Sequence, residues 1–464
     1  MAASGSRSYS WLRIIAGVLL CVGVAIFFTR SAAEHGRRVN TSKARGDQSG
    51  YLWDAENVYH NWHGRRPSVV IGERNRMPLY AGYLALFYDP AMTDPEYFEV
   101  GKQANIYLAV GLLTLLALVF RRHLPLLPAV NLTAIVTFGW FIYKAGYTQS
   151  ELLFYTLFFL SFLCCWHLLR STATPRLLYL AALGGALSAL AYLTKAATPP
   201  FLALFGLTFA AQAGTSPNIG PSGGGIVRSA RIRAAAAGLV FAMVFLAVLS
   251  PYLMTNKRVF GRYFYNVNST FYVWYDNWAQ ASQGTILHGD GVGWPNMRES
   301  QLPSLSRYWR EHTTGQIAER VQSGLADMAV VSYRTYDYLG YLALFSGLLV
   351  VIAVTRWHVL SLMLVDHVWL SAFLGLYAVL YVGATAFYFP ISGTGTARFF
   401  LAHLLPFFFV LSHGFSRTRL RDITWTPGGV RLGLRHFHIA VSLILVFDVA
   451  LRTSSRLMST YGGF

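Results

Sequence analysis

Uncharged apolar stretches of about 18 residues or more recur along the chain and constrain its fold more than any other feature. Leu152–Leu169, Ala234–Met254 and Phe399–Ser416 are three of them. Inside a bilayer no water satisfies backbone N–H and C=O groups, so such a stretch must bond itself as a helix. Apolar runs at roughly 11–29, 102–120, 126–144, 151–169, 177–194, 198–213, 235–254, 338–355, 367–386, 399–415 and 437–451 predict an all-α polytopic membrane protein with about 11 transmembrane helices. Pro199 and Pro200 leave only a tight turn between the runs at 177–194 and 198–213. Charged residues make up 12% of the chain against roughly 25% in soluble domains, which excludes a soluble enzyme. Hydrophobic residues at 54% exclude a disordered chain as well.

Basic residues exceed acidic ones by 38 to 20, a formal net charge of +18. In a soluble domain that excess would suggest nucleic acid, but in a polytopic protein basic loops set orientation, so no nucleic-acid partner is expected. With the N-terminus in the cytoplasm, the inner loops hold Arg7 and Arg13; Arg121 and Arg122; Arg170 and Arg176; Arg228, Arg231 and Arg233; Arg356; and Arg417, Arg419, Arg421, Arg431 and Arg435. The short outer loops at 145–150 and 387–397 are not enriched. The first run is apolar enough for a signal peptide, yet long enough for a retained anchor. Cys21, Cys164 and Cys165 sit within apolar runs and say nothing about redox compartment.

This orientation leaves two long segments outside, about 30–100 and about 255–337, which carry most of the Asp, Glu, Asn, Trp and Tyr. The Gly-, Pro- and Ser-rich stretch within 214–233 reads as a flexible cytoplasmic linker. Residues 416–464 read as a basic cytoplasmic loop and the last span. Chemistry is therefore expected on the outer face.

In the first outer segment Asp47, Tyr51, Asp54 and Val58 share one face of a predicted helix, with Leu52, Ala55 and Tyr59 beside them, as in a helix lying at the membrane interface. Asp47 stands at the start of that helix, where it is either an N-cap or a reactive carboxylate. Arg74 and Arg76 precede a short Pro78-Leu-Tyr helix read as lying in the interface plane; they would either grip a lipid phosphate or merely rest among headgroups.

An outer-loop Asp47 followed by Tyr51 on an amphipathic helix, then a basic-x-Pro-Leu-Tyr segment, resembles the GT-C superfamily of membrane glycosyltransferases. The nearest branch uses polyprenyl-phosphate sugars and includes protein mannosyltransferases and the lipid A aminoarabinose transferase. Gln149-Ser-Glu-Leu-Leu-Phe, Leu193-Thr-Lys-Ala and Ala397-Arg-Phe-Phe-Leu-Ala-His-Leu-Leu-Pro are similar to segments of the same group, and the likeness spans roughly residues 1–415. Where the family commonly has an acidic residue after the loop Asp, this chain has Gln48. No cluster of oxygen ligands suggests a hard cation, so no metal and no cofactor is expected.

The resemblance implies transfer of a sugar from a polyprenyl-phosphate donor to a glycan, lipid or protein acceptor, with inversion, on the extracytoplasmic face of a cell membrane, most simply a bacterial inner membrane. It implies Asp47 as general base. Lys195 and Arg398, with Arg76 and Arg74 as further candidates, would stabilise the departing phosphate, which calls for about two units of compensating charge. Tyr51 and Asp54 would lie near the acceptor, although Asp54 reads equally as a solvated face residue. Glu151 would bond sugar hydroxyls or pair with Lys195 or Arg398. In the second outer segment, aromatic residues interleaved with short polar ones make Asn266, Asp276 and Trp278 candidates for sugar or acceptor contact, though an interfacial aromatic belt has a similar composition. His288-Gly-Asp-Gly-Val-Gly-Trp-Pro reads as a turn-rich loop. Asn40-Thr-Ser and Asn268-Ser-Thr are formal glycosylation sequons. Asp366 and His367, at a span end, fit an interfacial pair more readily than a proton relay. The other classes open to such a chain are a transporter or flippase of lipid-linked glycans, which calls for charged mid-span residues and broken helices, and a glycan polymerase or ligase.

Overall fold

The computed structural model describes residues 5–64, 76–170, 176–215, 220–291, 293–335, 338–429 and 431–459. Among them, 10 helices are long and apolar enough to cross a membrane. The elements used below are α1 (Gly5–Val39), α2 (Gln48–Trp62), α3 (Pro78–Ala85), α4 (Asp94–His123) and α5 (Leu126–Lys144). They continue with α6 (Glu151–Arg170), α7 (Leu177–Thr194), α8 (Pro199–Thr215) and α9 (Gly220–Phe260). After the second long segment come α10 (Leu305–Glu311), α11 (Thr314–Thr335), α12 (Tyr338–Thr355) and α13 (Trp357–Asp366). The last three are α14 (Val368–Ser392), α15 (Thr396–Arg417) and α16 (Leu434–Met458). The strands described are two-residue pieces, Thr424–Trp425 against Leu432–Gly433.

The expected eleventh crossing is α8, which has 17 residues and is shorter than the others. Its placement supports a full crossing. At one end the backbone N–H of Phe201 donates to the Tyr381 hydroxyl at 3.1 Å, and at the other Gln212 Nε2 donates to Leu169 O at 2.8 Å. Phe201 also packs on Phe158 at 5.1 Å, so α8 runs beside α6 from Phe201 to Gln212, and its 17 residues at about 1.5 Å each cover some 25 Å.

Large apolar side chains such as Leu20, Val354, Val379 and Val446 face outward from the bundle, each more than two-thirds exposed. In water so much exposed apolar surface would drive aggregation; in lipid it is the expected exterior. The interior is built around α6, whose Tyr155, Phe158, Phe159 and Phe162 are fully buried. Phe158 meets Phe201, Tyr381 and His403 within 5.1–6.2 Å, so α8, α14 and α15 all converge on α6. These contacts place the amino ends of α6, α8 and α15 at the same end of the bundle as the carboxyl end of α7.

Three expectations are corrected. The glycine-rich stretch expected to be a linker over 214–233 is helical from Gly220, as the first turns of α9; residues 216–219 lie outside the described ones. Once a helix is established in the apolar run, each further residue adds a hydrogen bond for one more pair of fixed dihedrals, and this offsets the poor propensity of glycine. Secondly, the apolar stripe of α2 is not free to lie on a membrane: Tyr51, Leu52, Ala55 and Val58 are buried with Tyr80, Ala81 and Leu84 of α3 and Tyr97 and Phe98 of α4. Correspondingly, α3 is an internal element of this cluster rather than a helix in the interface plane. Thirdly, the Asn40 sequon is closed to modification in the folded chain, because its amide is fully buried and bonded to Gln48 and to Gly146 O. Asp366 pairs with Arg419 at 3.1 Å, both half-exposed at a span end, as an interfacial pair would be.

Where α7 crosses α9, a β-carbon on Gly185 would lie 2.4 Å from Phe241 O, whereas one on Gly206 of α8 meets nothing within 4 Å. Gly185→Val is therefore expected to cost about 1–3 kcal/mol of stability by overpacking. Gly206→Val serves as the matched control and should melt like the parent. Thermal unfolding of both variants in nanodiscs checks this; equal melting of the two would refute the described helix crossing.

Candidate functional site

The bundle end that gathers the amino ends of α6, α8 and α15 also gathers charge. Glu151, the first residue of α6, is only 2% exposed. A carboxylate so far from water must be paired or lose its charge. Lys195 Nζ donates to its Oε1 at 2.9 Å from the short link between α7 and α8. Arg398 Nη1, from the first turn of α15, donates to the same oxygen at 3.3 Å. Arg398 Nη1 also reaches Asp47 Oδ2 at 3.0 Å, tying the first outer segment to the bundle. Four residues from four places in the chain thus form one continuous chain of charges: Asp47, Arg398, Glu151 and Lys195. The Phe399 ring lies beneath both cations, 4.8 Å from Lys195 Nζ and 5.4 Å from the Arg398 guanidinium carbon. Its negative face adds to their stabilisation. Burial pulls the Lys195 amine below its ordinary value, and the Glu151 carboxylate opposes that pull.

Asp47 occupies the position before α2, but its side chain accepts no hydrogen bond from the helix amides. The capping reading is right in place and wrong in function, because the carboxylate points to Arg398. With its side chain 35% exposed, Asp47 is the carboxylate of the cluster that a substrate can reach, whereas Glu151 is enclosed. Gly46 makes this turn possible. Its φ is +63°, and a β-carbon there would also come within 2.7 Å of Gln149 Nε2. Gly393, before α15, is held at φ +53° for the same reason, so its role is in the backbone turn that delivers Arg398.

The remaining expected residues fall into three groups. Tyr51 joins the site: it is buried one helical turn beyond Asp47, its hydroxyl shares a 2.8 Å hydrogen bond with Ser150 Oγ, and burial raises its pKa. Arg76 and Asp54 engage each other, with Nε donating to Oδ2 at 2.9 Å and both side chains largely enclosed. Asp54 is therefore not a solvated face residue, and Arg76 holds a carboxylate instead of waiting for a phosphate; burial raises the Asp54 pKa while Arg76 opposes the rise. Arg74 lies outside the described residues.

The second-segment candidates stand apart from the cluster. Asn266 caps a short helix, its side-chain oxygen accepting from the amides of Asn268 and Ser269. Asp276 pairs with His312 at 3.1 Å and Arg320 at 3.5 Å. Trp278 is half-exposed, edge-on to Tyr272 at 5.6 Å. The link between this segment and the cluster is Tyr388 of α14, whose hydroxyl donates to Asn268 Oδ1 at 2.9 Å and whose ring meets Phe399 edge-on at 6.0 Å.

Several residues here escaped the sequence reading. Lys144, fully buried at the end of α5, lies within electrostatic reach of Glu151, Arg398, Lys195 and Asp47. A lysine ending an apolar run looks like any snorkelling cation, so only the packing of α5 behind α6 reveals its position. Tyr155 donates to Arg398 O at 2.6 Å. Gln149 is buried, and neither of its side-chain polar atoms has a hydrogen-bond partner among the described residues. Gln48 explains its own departure from the acidic pattern. It exchanges hydrogen bonds with Asn40 at 2.8 Å in each direction, donates to Arg45 O at 3.1 Å and accepts from Thr148 N at 2.9 Å. An amide has both the donors and the acceptor this requires, whereas an ionised carboxylate only accepts. Among the described residues no three His, Cys, Asp or Glu side chains come together as a metal site.

The chain matches no family model, no curated protein and no solved structure. Its chemistry has to be argued from this geometry.

Gln48→Glu offers a direct test of the amide network. It strips the donors to Asn40 Oδ1 and Arg45 O and buries a charge, so it should lower stability by about 1–3 kcal/mol or more. Thermal unfolding of the purified protein measures the loss, and a variant as stable as the parent would show that the amide exchange is dispensable.

Proposed function

We propose that this multi-pass membrane protein is a glycosyltransferase that moves a sugar from a polyprenyl-phosphate donor to an acceptor, with inversion. The observation that carries the proposal is the accessible Asp47 carboxylate held 3.0 Å from Arg398 at the mouth of an apolar bundle. A base, a pair of cations and a greasy surround are the three things such a reaction requires.

In this mechanism Asp47 accepts the proton of an acceptor hydroxyl. The hydroxyl oxygen then bonds to the anomeric carbon from the face opposite the phosphate. The bond from that carbon to the phosphate oxygen breaks, and its electron pair leaves on polyprenyl phosphate. Arg398 and Lys195 take up the charge that develops there. Arg398 keeps capacity for this, because its Nε is buried without a partner. Glu151 orients both cations and stays out of the chemistry.

Formal charges support a phosphate as the ligand. Lys195 and Arg398 are matched one for one by Glu151 and Asp47, so the cluster is neutral before the reaction. After transfer Asp47 carries the proton, and the extra positive charge matches the extra negative charge of the released phosphate monoester. The excess of arginine at the opposite bundle end, read with the positive-inside rule, supports an extracytoplasmic site.

Asp47→Asn should lower turnover of a polyprenyl-phosphate sugar by about 10²–10⁴-fold. Donor binding should be retained or tightened, since the substitution removes a negative charge beside Arg398. Single-turnover release of polyprenyl phosphate, with donor affinity measured separately, distinguishes the two effects. Undiminished release would remove Asp47 from the role of base.

A further inference from the structure

Away from the ion cluster, the second long segment forms a half-open cavity of about 360 Å³ between residues 274–284 and residues 303–312, which include α10. That is within the range of about 300–1,000 Å³ in which proteins hold small molecules. Its walls combine aromatic and amide side chains with charges that are already balanced. Trp274 and Tyr275 provide half-buried rings and Gln283 an exposed amide, while the Gln280 amide is bonded to Asp276, accepting from its N–H at 3.0 Å and donating to its Oδ2 at 3.4 Å. Each carboxylate at the rim has an arginine partner: Asp276 has Arg320 at 3.5 Å, and Glu311 has Arg307 at 2.7 Å.

The cavity is built rather than incidental. Arg320 of α11 is buried behind it and fixes the wall from one guanidinium. Its Nε donates to Phe387 O at 2.9 Å, its Nη1 to Tyr308 OH at 2.9 Å, and its Nη2 to Tyr275 O at 2.9 Å and Val273 O at 3.3 Å. The Phe387 ring lies 4.1 Å from the guanidinium carbon. Phe387 is the neighbour of Tyr388, which touches Phe399 beneath the two cations, so the cavity wall and the ion cluster share the same end of α14.

We infer that this cavity binds a neutral saccharide, and that the saccharide is the part of the acceptor remote from the hydroxyl that Asp47 deprotonates. Flat aromatic faces match the apolar faces of a sugar ring. Amides supply both the donors and the acceptors that hydroxyl groups need. Internally paired charges leave no net field to favour an anion or a cation. The acceptor assignment rests on the transferase reading; the binding assignment does not.

The test is saturation-transfer NMR on the full-length protein in phosphatidylcholine nanodiscs, since glycoside detergents would compete for the cavity. The probes are maltose and cellobiose, dodecyl maltoside below its micellar concentration, glucuronate, glucosamine and a Ser/Thr-rich peptide. Saturation transfer to the neutral disaccharides is expected. It should fall about tenfold or more in Gln283→Trp, which fills the cavity from an exposed position. It should persist in Leu287→Trp, an equally exposed position outside the cavity wall. A stronger signal from dodecyl maltoside than from maltose would assign the acceptor to a glycolipid headgroup, and the reverse to a soluble glycan. No transfer to either disaccharide, transfer undiminished in Gln283→Trp, or preference for glucuronate, glucosamine or the peptide would overturn the inference. Disaccharide binding without consumption of any polyprenyl-phosphate sugar would leave the cavity assignment standing and remove the transferase reading. Consumption without binding would do the opposite.

Discussion

A single buried carboxylate sets the arrangement at the working end of this protein. Glu151 begins a helix packed on every side by aromatic residues, where an uncompensated charge would cost several kcal/mol. It is tolerated because Lys195 and Arg398 both reach it, from 44 and 247 residues away in sequence. Such a cluster adds little to stability over an apolar packing of the same volume, but removing one partner is expensive. Its effect is on specificity of arrangement: the α7–α8 link, the amino end of α15 and the amino end of α6 have to meet at one point. Asp47 then adds a more exposed carboxylate to an arginine already held in place.

Both long segments are fastened to the bundle by polar side chains with several partners. Gln48 joins residues 40–48 to the chain between α5 and α6, and Arg320 joins residues 273–276 and α10 to the end of α14. The reason is the same in each case. A loop over an apolar bundle carries backbone groups that its own secondary structure does not satisfy, and a buried amide or guanidinium can satisfy several of them at once. The loops beside the ion cluster and the cavity are therefore held by hydrogen bonds rather than by hydrophobic packing alone.

Much of the fold was legible from apolar run length. The ten long spans appear where uncharged stretches of lipid-crossing length lie, because the backbone's need for internal hydrogen bonds in lipid is a local constraint. The helix expected as the eleventh, α8, is shorter than these ten, and its place beside α6 is visible only from its contacts. At the site, Glu151, Lys195 and Arg398 stood out as charges at span ends and Asp47 as one in the first outer segment, and they do converge. Arg76 and Asp54 stood out in the same way, yet they satisfy each other. Asn266, Asp276 and Trp278 belong to the second segment's own architecture. Lys144 and Arg320 gave no signal, since a lone cation at an apolar boundary, or on an amphipathic helix, looks like a solvated one.

The sequence by itself determined that this chain crosses a bilayer many times, which loops are basic, and which two segments carry the polar chemistry. Each of these follows from composition within a short window, where solvation and backbone bonding act residue by residue. Only the tertiary structure decided which charges are partners, which carboxylate stays open to a substrate, and where a cavity forms. Coulomb energy and hydrogen bonding depend on distances of a few ångströms between side chains that the chain order leaves far apart, and helix packing sets those distances.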